Sequence, residues 1–247
     1  MLRTIHLPIV FVLIFPAFLN SSYKEDTKRI AVFTGNDSAK TFSPDRSDKA
    51  VANDVYTLIN LEKKGLSRDA YELALKGYNN LLKKNLIRNK NIISIIDFSK
   101  PSSQKRLYVI DMKRKKLLFQ SLVAHGRNSG LEYATSFSNE EDSHKSSIGF
   151  YVTLNTYTGD CGYALKLRGC DRGFNDNAYD RAIVIHGSKY VTEDFLNSNG
   201  FLGRSWGCPA LPEKISKKII DVIKNGSCLF LYHPTKNYLL TSRVLNG

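Results

Sequence analysis

The 247-residue sequence lacks several features that mark particular classes of protein. Its four cysteines include no Cys-x-x-Cys pair, which argues against a structural zinc site. Beyond residue 19 there is no apolar run long enough to span a membrane. No internal repeat is present, and no basic segment carries the interspersed aromatic residues of a nucleic-acid-binding module. These features argue against a structural zinc site, later membrane spans and a nucleic-acid-binding module, and they leave the cysteines as candidates for other chemistry.

The first 22 residues resemble an export signal. Met1 to Arg3 supply a positive start, Ile5 to Leu19 are mostly apolar, and a polar segment follows from Asn20. No Ala-x-Ala cleavage site is visible, so an uncleaved membrane anchor is the alternative. In either case we expect the functional part of the chain outside the cytoplasm, with no stable membrane span once a signal is removed.

Basic residues outnumber acidic residues in this chain. It has 36 lysines and arginines and 23 aspartates and glutamates, which gives a formal net charge of +13. Such a chain favours anionic surroundings, including nucleic acid, anionic lipid and anionic cell-wall polymers. Because export separates a protein from nucleic acid, we expect no nucleic-acid partner and favour the cell envelope.

After the signal the chain changes character twice. Residues 23–48 are polar and are predicted to form a linker. Residues 49–91 have a helical period, in which Ser67 is expected to cap a helix with Tyr71, Leu75, Tyr78 and Leu82 on one face. From residue 92 to 247 the pattern is that of strands. We therefore expect a mainly β (α+β) protein with a small helical region before its β-rich domain.

Short apolar runs punctuated by glycines indicate the strands of this second part. A helix is expected to start at Pro212 and to end at Asn225-Gly226. The predicted strands are 92–98, 106–112, 116–124, 149–157, 163–167, 182–185 and 228–232.

The four cysteines of an exported chain must be divided between disulfides and free thiols. Cys161 and Cys170 lie in one glycine-rich stretch and could pair, although sequence alone does not give connectivity. Cys228 lies in an apolar run and is expected to be a buried structural thiol. Cys208 then remains as the free, functional candidate.

The surroundings of Cys208 suit nucleophilic chemistry. Gly207 before it allows a substrate carbonyl to approach the backbone, whose N–H groups would face an oxyanion. An apolar strand ending at His186 would hold a base that takes the thiol proton and later returns it to a leaving amine. No Asp or Asn is evident to orient His186, but a backbone carbonyl near Gly187 or Ser188 could do so. The alternative is that both residues are ordinary core side chains.

At these residues the sequence resembles the murein L,D-transpeptidase catalytic-domain-like family, the cysteine L,D-transpeptidases of peptidoglycan. The resemblance extends over about residues 65–232 and its motifs occur in order. The segments that carry it are His125–Gly130, Tyr163–Leu167, Gly173–Asp176, His186–Ser188 and Gly203–Leu211.

The resemblance implies a β-rich fold that acts on peptidoglycan stem peptides in the bacterial periplasm or cell wall. Cys208 would attack the third stem residue, expel the terminal D-alanine and form a thioester. The amine of a neighbouring stem would then complete a 3→3 cross-link. If water resolved the thioester, the enzyme would be an L,D-carboxypeptidase or another murein peptide hydrolase. A non-catalytic cell-wall-binding module is the remaining alternative.

The resemblance also implies roles for individual residues. His186 would be the base, N–H groups around Gly207 and Cys208 the oxyanion hole, and Ser188 and Ser205 the walls of the pocket. Neither a metal nor an organic cofactor is implied, and the oligomeric state is not indicated.

Two residues beside the cysteine depart from the common family pattern. Trp206 stands where a polar residue is frequent, and Ala210 stands where an arginine or asparagine is frequent. A contact for the substrate must then come from elsewhere. Arg127, Arg168 and Arg204 are candidates for binding a stem carboxylate, and His125 could also line the cleft.

Overall fold

The computed structural model describes residues 55–247. The predicted signal at 1–22, the linker at 23–48 and the first residues of the helical region lie outside the described residues. No helix within the described part of the chain is long and apolar enough to cross a membrane.

Five helices follow a single helical turn at residues 55–58. The first begins as predicted, because the Ser67 side chain accepts a hydrogen bond of 3.1 Å from the N–H of Ala70. Its stripe of Tyr71, Leu75 and Tyr78 is buried. The helices are α1 (Arg68–Lys83), α2 (Glu193–Asn199), α3 (Glu213–Ile223), α4 (Lys236–Thr241) and α5 (Arg243–Asn246).

The strands form one mixed, eight-stranded sheet of order β3-β2-β1-β8-β4-β5-β6-β7. The pairs β1–β8 and β6–β7 are parallel, and the other neighbours are antiparallel. The sheet nearly closes on itself, because Ala124, beyond β3, pairs with Ala210 of β7. The strands are β1 (Ile92–Asp97), β2 (Leu107–Asp111), β3 (Lys116–Ser121), β4 (Gly149–Gly159), β5 (Gly162–Gly169), β6 (Val184–Ser188), β7 (Ala210–Pro212) and β8 (Cys228–Tyr232).

Helix α1 and the sheet share one core. The helix contacts β1 and β8, and its buried side chains belong to the same cluster as those of the strands. The change from helix to strand near residue 91 therefore does not separate two hydrophobic cores. The mainly β class with a few helices is confirmed.

Most of the predicted strands are confirmed to within a few residues, and Cys228 is buried as expected. Strand β6 differs, since it starts at Val184 and continues through Ser188. Ala182 lies before it with φ of +52°, outside strand geometry. The short strand β7, which begins two residues after Cys208, was not predicted from the sequence, because it depends on pairing with β6 rather than on an apolar run.

The possible disulfide between Cys161 and Cys170 is not formed, and all four cysteines are free. Cys161 lies in the turn between β4 and β5, whereas Cys170 follows the other end of β5. A strand of this length separates its ends by roughly 25 Å. Since a disulfide joins Cα atoms only about 6 Å apart, the two cysteines cannot pair in this fold.

Candidate active site

A cavity of about 740 Å³ lies where β6 meets β7. Its walls come from the β4–β5 turn, the segment 181–190, the segment 204–208 and Glu213 at the start of α3. Cys208 and His186 both line it. The fold therefore brings together the two residues that the sequence singles out, although they come from different strands and loops.

Hydrogen bonds fix the turn that carries the cysteine. The Ser205 hydroxyl donates to the carbonyl of Cys208 at 2.6 Å and accepts from the N–H of Gly207 at 3.1 Å. The Ser146 hydroxyl donates to the carbonyl of Gly207 at 3.0 Å. Gly207 has φ of +123°, and a Cβ there would lie 2.8 Å from the carbonyl oxygen of Lys145. Glycine is thus required by the shape of this turn.

The Cys208 sulfur lies against the residues that lead into β6. It accepts a hydrogen bond from the N–H of Val184 at 3.4 Å and contacts the carbonyl of Ala182 at 3.8 Å. Burial raises the pKa of the thiol to about 11, and the Val184 N–H and the charge of Arg181 offset part of that rise. The resting group is therefore a thiol, and a base is needed to form the thiolate.

His186 is buried and held within the sheet. It pairs with Ala164 of β5 on one side and with Ala210 of β7 on the other. Its Nδ1 lies 3.0 Å from the carbonyl oxygen of Gly187. Because a carbonyl only accepts, Nδ1 carries a proton, and in the neutral ring Nε2 keeps its lone pair. A backbone carbonyl thus fills the place of the missing acid, as the sequence suggested.

Gly187 not only accepts this hydrogen bond but also allows helix α3 to pack closely against β6. A Cβ at this position would lie 2.5 Å from the Ser216 hydroxyl and 3.1 Å from the Cα of Glu213. Helix α3 can approach β6 this closely only because a glycine is present. Ser188, next along β6, lines the cavity and is half-buried.

The two candidate donors for an oxyanion differ. The N–H of Gly207 is already bonded to the Ser205 hydroxyl. The N–H of Cys208 has no partner among residues 55–247. Of these two N–H groups, only that of Cys208 is therefore open to a ligand, while Gly207 shapes the turn.

The other expected residues are divided between the cavity and its surroundings. Trp206 and Arg204 line the cavity, and the Trp206 ring, 70% exposed, stacks on His144 at 5.1 Å between centroids. Arg127 does not line it; its backbone N–H donates to the carbonyl of Ser205 at 2.8 Å. Arg168 lies in a separate cavity beside Arg88.

His125 is a structural residue. It is fully buried, and its Nδ1 lies 2.7 Å from the Arg106 guanidinium while its Nε2 lies 3.2 Å from the carbonyl of Gly130. Burial and the charge of Arg106 lower the pKa of His125 to about 3. The ring is therefore neutral and has both nitrogens occupied.

Two residues at the site were missed by reading the sequence. Ser146 holds the Gly207 carbonyl, and Arg181 extends beneath the same turn. The Arg181 guanidinium donates to the carbonyls of Ser138 at 2.7 Å and Lys145 at 2.8 Å. All of these are long-range contacts, and the only sequence signal was a charged residue at the start of an apolar run.

The described residues contain no group of three or more His, Cys, Asp or Glu side chains placed to hold a metal ion.

A nearly closed sheet with a thiol and an imidazole in one cavity suits an acyl-transfer enzyme of the cysteine type. The family model of the L,D-transpeptidase catalytic domain matches residues 62–232. That match covers more than half of the chain, and the protein therefore belongs to the L,D-transpeptidase catalytic domain family. A comparison with curated proteins gives no match.

Solved structures with similar folds include an L,D-transpeptidase from Mycobacterium smegmatis, at 12% identity and a TM-score of 0.37, covering 58% of this chain and 59% of that chain. L,D-transpeptidase 3 from Mycobacterium tuberculosis, bound to a faropenem-derived adduct, has 11% identity and a TM-score of 0.36, with coverages of 58% and 60%. A fused Zn-dependent amidase/peptidase/peptidoglycan-binding protein from Clostridium acetobutylicum has 16% identity and a TM-score of 0.36, with coverages of 66% and 62%.

The chain thus spans about three fifths of the length of these structures. At such identities and TM-scores these structures do not show the role of any residue in this protein. The family assignment rests on the family match, and the roles of residues rest on this chain's own geometry.

Proposed function

We propose that this protein is a peptidoglycan L,D-transpeptidase that forms 3→3 cross-links through a thioester on Cys208. The observation that carries the proposal is that Cys208 and His186 line one cavity, with Nδ1 of His186 tied to the Gly187 carbonyl. This hydrogen bond leaves Nε2 as the proton acceptor. The family match supports peptidoglycan stem peptides as the substrate class.

In the first half of the reaction the Cys208 sulfur attacks the carbonyl of the third stem residue. Because the thiol is protonated at neutral pH, Nε2 of His186 removes its proton as the S–C bond forms. The Cys208 N–H donates to the oxyanion. The C–N bond to the terminal D-alanine then breaks, and the imidazolium returns the proton to the leaving amine.

In the second half the amine of a neighbouring stem attacks the thioester. His186 takes a proton from the attacking amine, the new amide bond forms, and the sulfur leaves and recovers that proton. Attack by water instead of an amine gives a tripeptide, the reaction of an L,D-carboxypeptidase. The net charge of +13 favours contact with the anionic cell wall, and the apolar start of the sequence supports export to the envelope.

Disaccharide-tetrapeptides incubated with the protein test the proposal, with the products identified by mass spectrometry. We expect cross-linked dimers and a trappable thioester on Cys208, and both should disappear with Cys208→Ala. Cys161→Ser is the matched control, because it removes another thiol from the same cavity. Tripeptide without dimers would favour the hydrolase, and full activity in Cys208→Ala would refute the mechanism.

A further inference from the structure

A second, smaller cavity adjoins the one that contains Cys208. Its volume is about 250 Å³, and Ala182 and Ile183 line both cavities. Val184, which also lines the smaller cavity, donates its N–H to the Cys208 sulfur at 3.4 Å. The same short segment of backbone therefore forms one wall of the smaller cavity and supports the nucleophile.

The smaller cavity contains one ammonium group between two aromatic rings. Nζ of Lys166 lies 5.4 Å from the ring centroid of Tyr157 and 5.7 Å from that of Tyr179. The negative faces of the two rings attract the ammonium and hold the flexible lysine in the cavity. The rings remain accessible to a ligand, since Tyr157 is 36% exposed and Tyr179 is 52% exposed.

Among the described residues no carboxylate lies within ion-pair distance of the Lys166 ammonium. Lys217 and Lys224 differ, because both pair with Asp221, at 2.7 Å and 2.8 Å. Lys166 is also half-buried, so that a ligand's negative charge would be screened less than at an open surface.

We propose that Lys166 binds the C-terminal carboxylate of the donor stem peptide, with Tyr157 and Tyr179 holding its ammonium in place. This inference rests on the proposed function. The carboxylate of a stem tetrapeptide lies one residue beyond the carbonyl that Cys208 attacks, and the two cavities adjoin through their shared lining residues Ala182 and Ile183. Lys166 would thus supply the cation expected from an arginine, and it would select uncapped stems of four residues.

The test compares a stem tetrapeptide that has a free C-terminal carboxylate with the same peptide carrying a C-terminal amide. With the first peptide, Lys166→Met should raise KM about 10-fold and change kcat little, because it removes a charge-assisted contact of the ground state. With the amide, Lys166→Met and the parent should have the same KM. Lys166→Arg should restore most of the binding of the free carboxylate.

Lys113→Met, in the turn between β2 and β3, is the matched control and should leave both values of KM unchanged. Equal effects of Lys166→Met on the two peptides would overturn the proposal. So would a carboxylate-dependent KM that responds to Arg204→Met instead. Thermal unfolding of Lys166→Met and Lys166→Arg shows whether either variant has lost its fold.

Binding to Cys208→Ala by titration calorimetry separates this inference from the proposed function. If the parent forms no thioester, the proposed function fails. The carboxylate site still stands if Cys208→Ala binds the free peptide about 10-fold more tightly than the amide and if Lys166→Met abolishes that difference. Equal binding of the two peptides would refute the site while leaving the thioester chemistry intact.

Discussion

His125 and His186 are each followed by a glycine, and the two His-Gly pairs lie on opposite sides of β7. Ala124, next to the first, and His186 itself both pair with Ala210. The environments nevertheless differ. His125 has both nitrogens bonded and an arginine charge beside it, whereas His186 has one nitrogen fixed and faces the cavity. The comparison shows that tertiary contacts, and not the His-Gly dipeptide, decide which ring nitrogen is left unbonded.

The largest effect that distinguishes the two histidines should be on catalysis. His186→Gln is expected to lower the rate of thioester formation by about 100-fold or more, because the thiol loses its proton acceptor. His125→Gln should retain the activity of the parent within about threefold per folded molecule, since the ring it replaces takes no part in proton transfer. Single-turnover kinetics with a stem tetrapeptide measure both rates. Comparable losses in the two variants would contradict the assignment of His186 as the base.

The next largest effect should be on stability, where substitution of His125 should lower the free energy of unfolding more than substitution of His186. His125→Leu removes the acceptor at 2.7 Å from the Arg106 guanidinium and leaves a buried N–H of that group unpaired. We expect the free energy of unfolding to fall by about 2–3 kcal/mol. His186→Gln should change it by less than about 1 kcal/mol. Urea denaturation followed by circular dichroism provides the measurement, and a larger loss in His186→Gln would reverse the comparison.

His125 should also make the stability of the fold sensitive to acid. The pKa of His125 falls from 6.5 to about 3 on folding. Between these values the unfolded chain binds a proton that the folded protein does not, so acid favours unfolding. His125 should contribute a loss of at most about 1.4 kcal/mol for each pH unit below 6.

Unfolding curves of the parent and His125→Gln between pH 7 and pH 4 test this contribution. The variant should lose stability less steeply over that range. Parallel curves for the two proteins would show that His125 is protonated as readily in the folded state as in the unfolded chain.

The smallest difference should be between the alanine substitutions of the two glycines that follow these histidines, Gly126 and Gly187. A methyl group at Gly187 would meet the Ser216 hydroxyl at 2.5 Å, which is a removable side-chain atom. A methyl group at Gly126 would meet the carbonyl oxygen of His144 at 2.5 Å and the Cα of Gly207 at 3.0 Å, which are backbone atoms. Each Gly→Ala change is expected to cost about 1–3 kcal/mol of unfolding free energy.

Adding Ser216→Ala to Gly187→Ala should restore about 1 kcal/mol, measured by urea denaturation. No side-chain truncation can relieve Gly126→Ala in the same way. That variant should also lower activity, because it displaces the turn that carries Cys208. A double variant no more stable than Gly187→Ala would show that the close approach of α3 does not depend on the Ser216 hydroxyl.

Much of the fold could be predicted from the sequence because local patterns specify it. The Ser67 cap, the stripe of α1 and the apolar runs of β1 and β8 depend on neighbouring residues and were confirmed. Strand β7 could not be found in this way, since three residues hold a strand only through the partners beside them. The sequence left open whether Cys161 and Cys170 pair, and the structure shows that they do not, because strand β5 lies between them and separates them.

The candidate site likewise combines features that could be predicted from the sequence with features that depend on tertiary contacts. The residues of chemical interest, Cys208 and His186, stood out in the sequence through their glycines and through the resemblance of the surrounding motifs. Their proximity came from the pairing of β6 with β7. The cation expected among Arg127, Arg168 and Arg204 was sought by residue type, whereas the register of β5 against β6 pairs Lys166 with Val184, whose N–H donates to the Cys208 sulfur.

The sequence by itself determined most of the secondary structure, the nucleophile and base candidates, and the resemblance to the family. Only the tertiary structure decided which nitrogen of His186 is left with a lone pair, which N–H can meet an oxyanion, and why the Cys208 thiol stays protonated. These properties depend on hydrogen bonds and burial between segments distant in the chain. Such contacts exist only once the sheet has brought its two edges together.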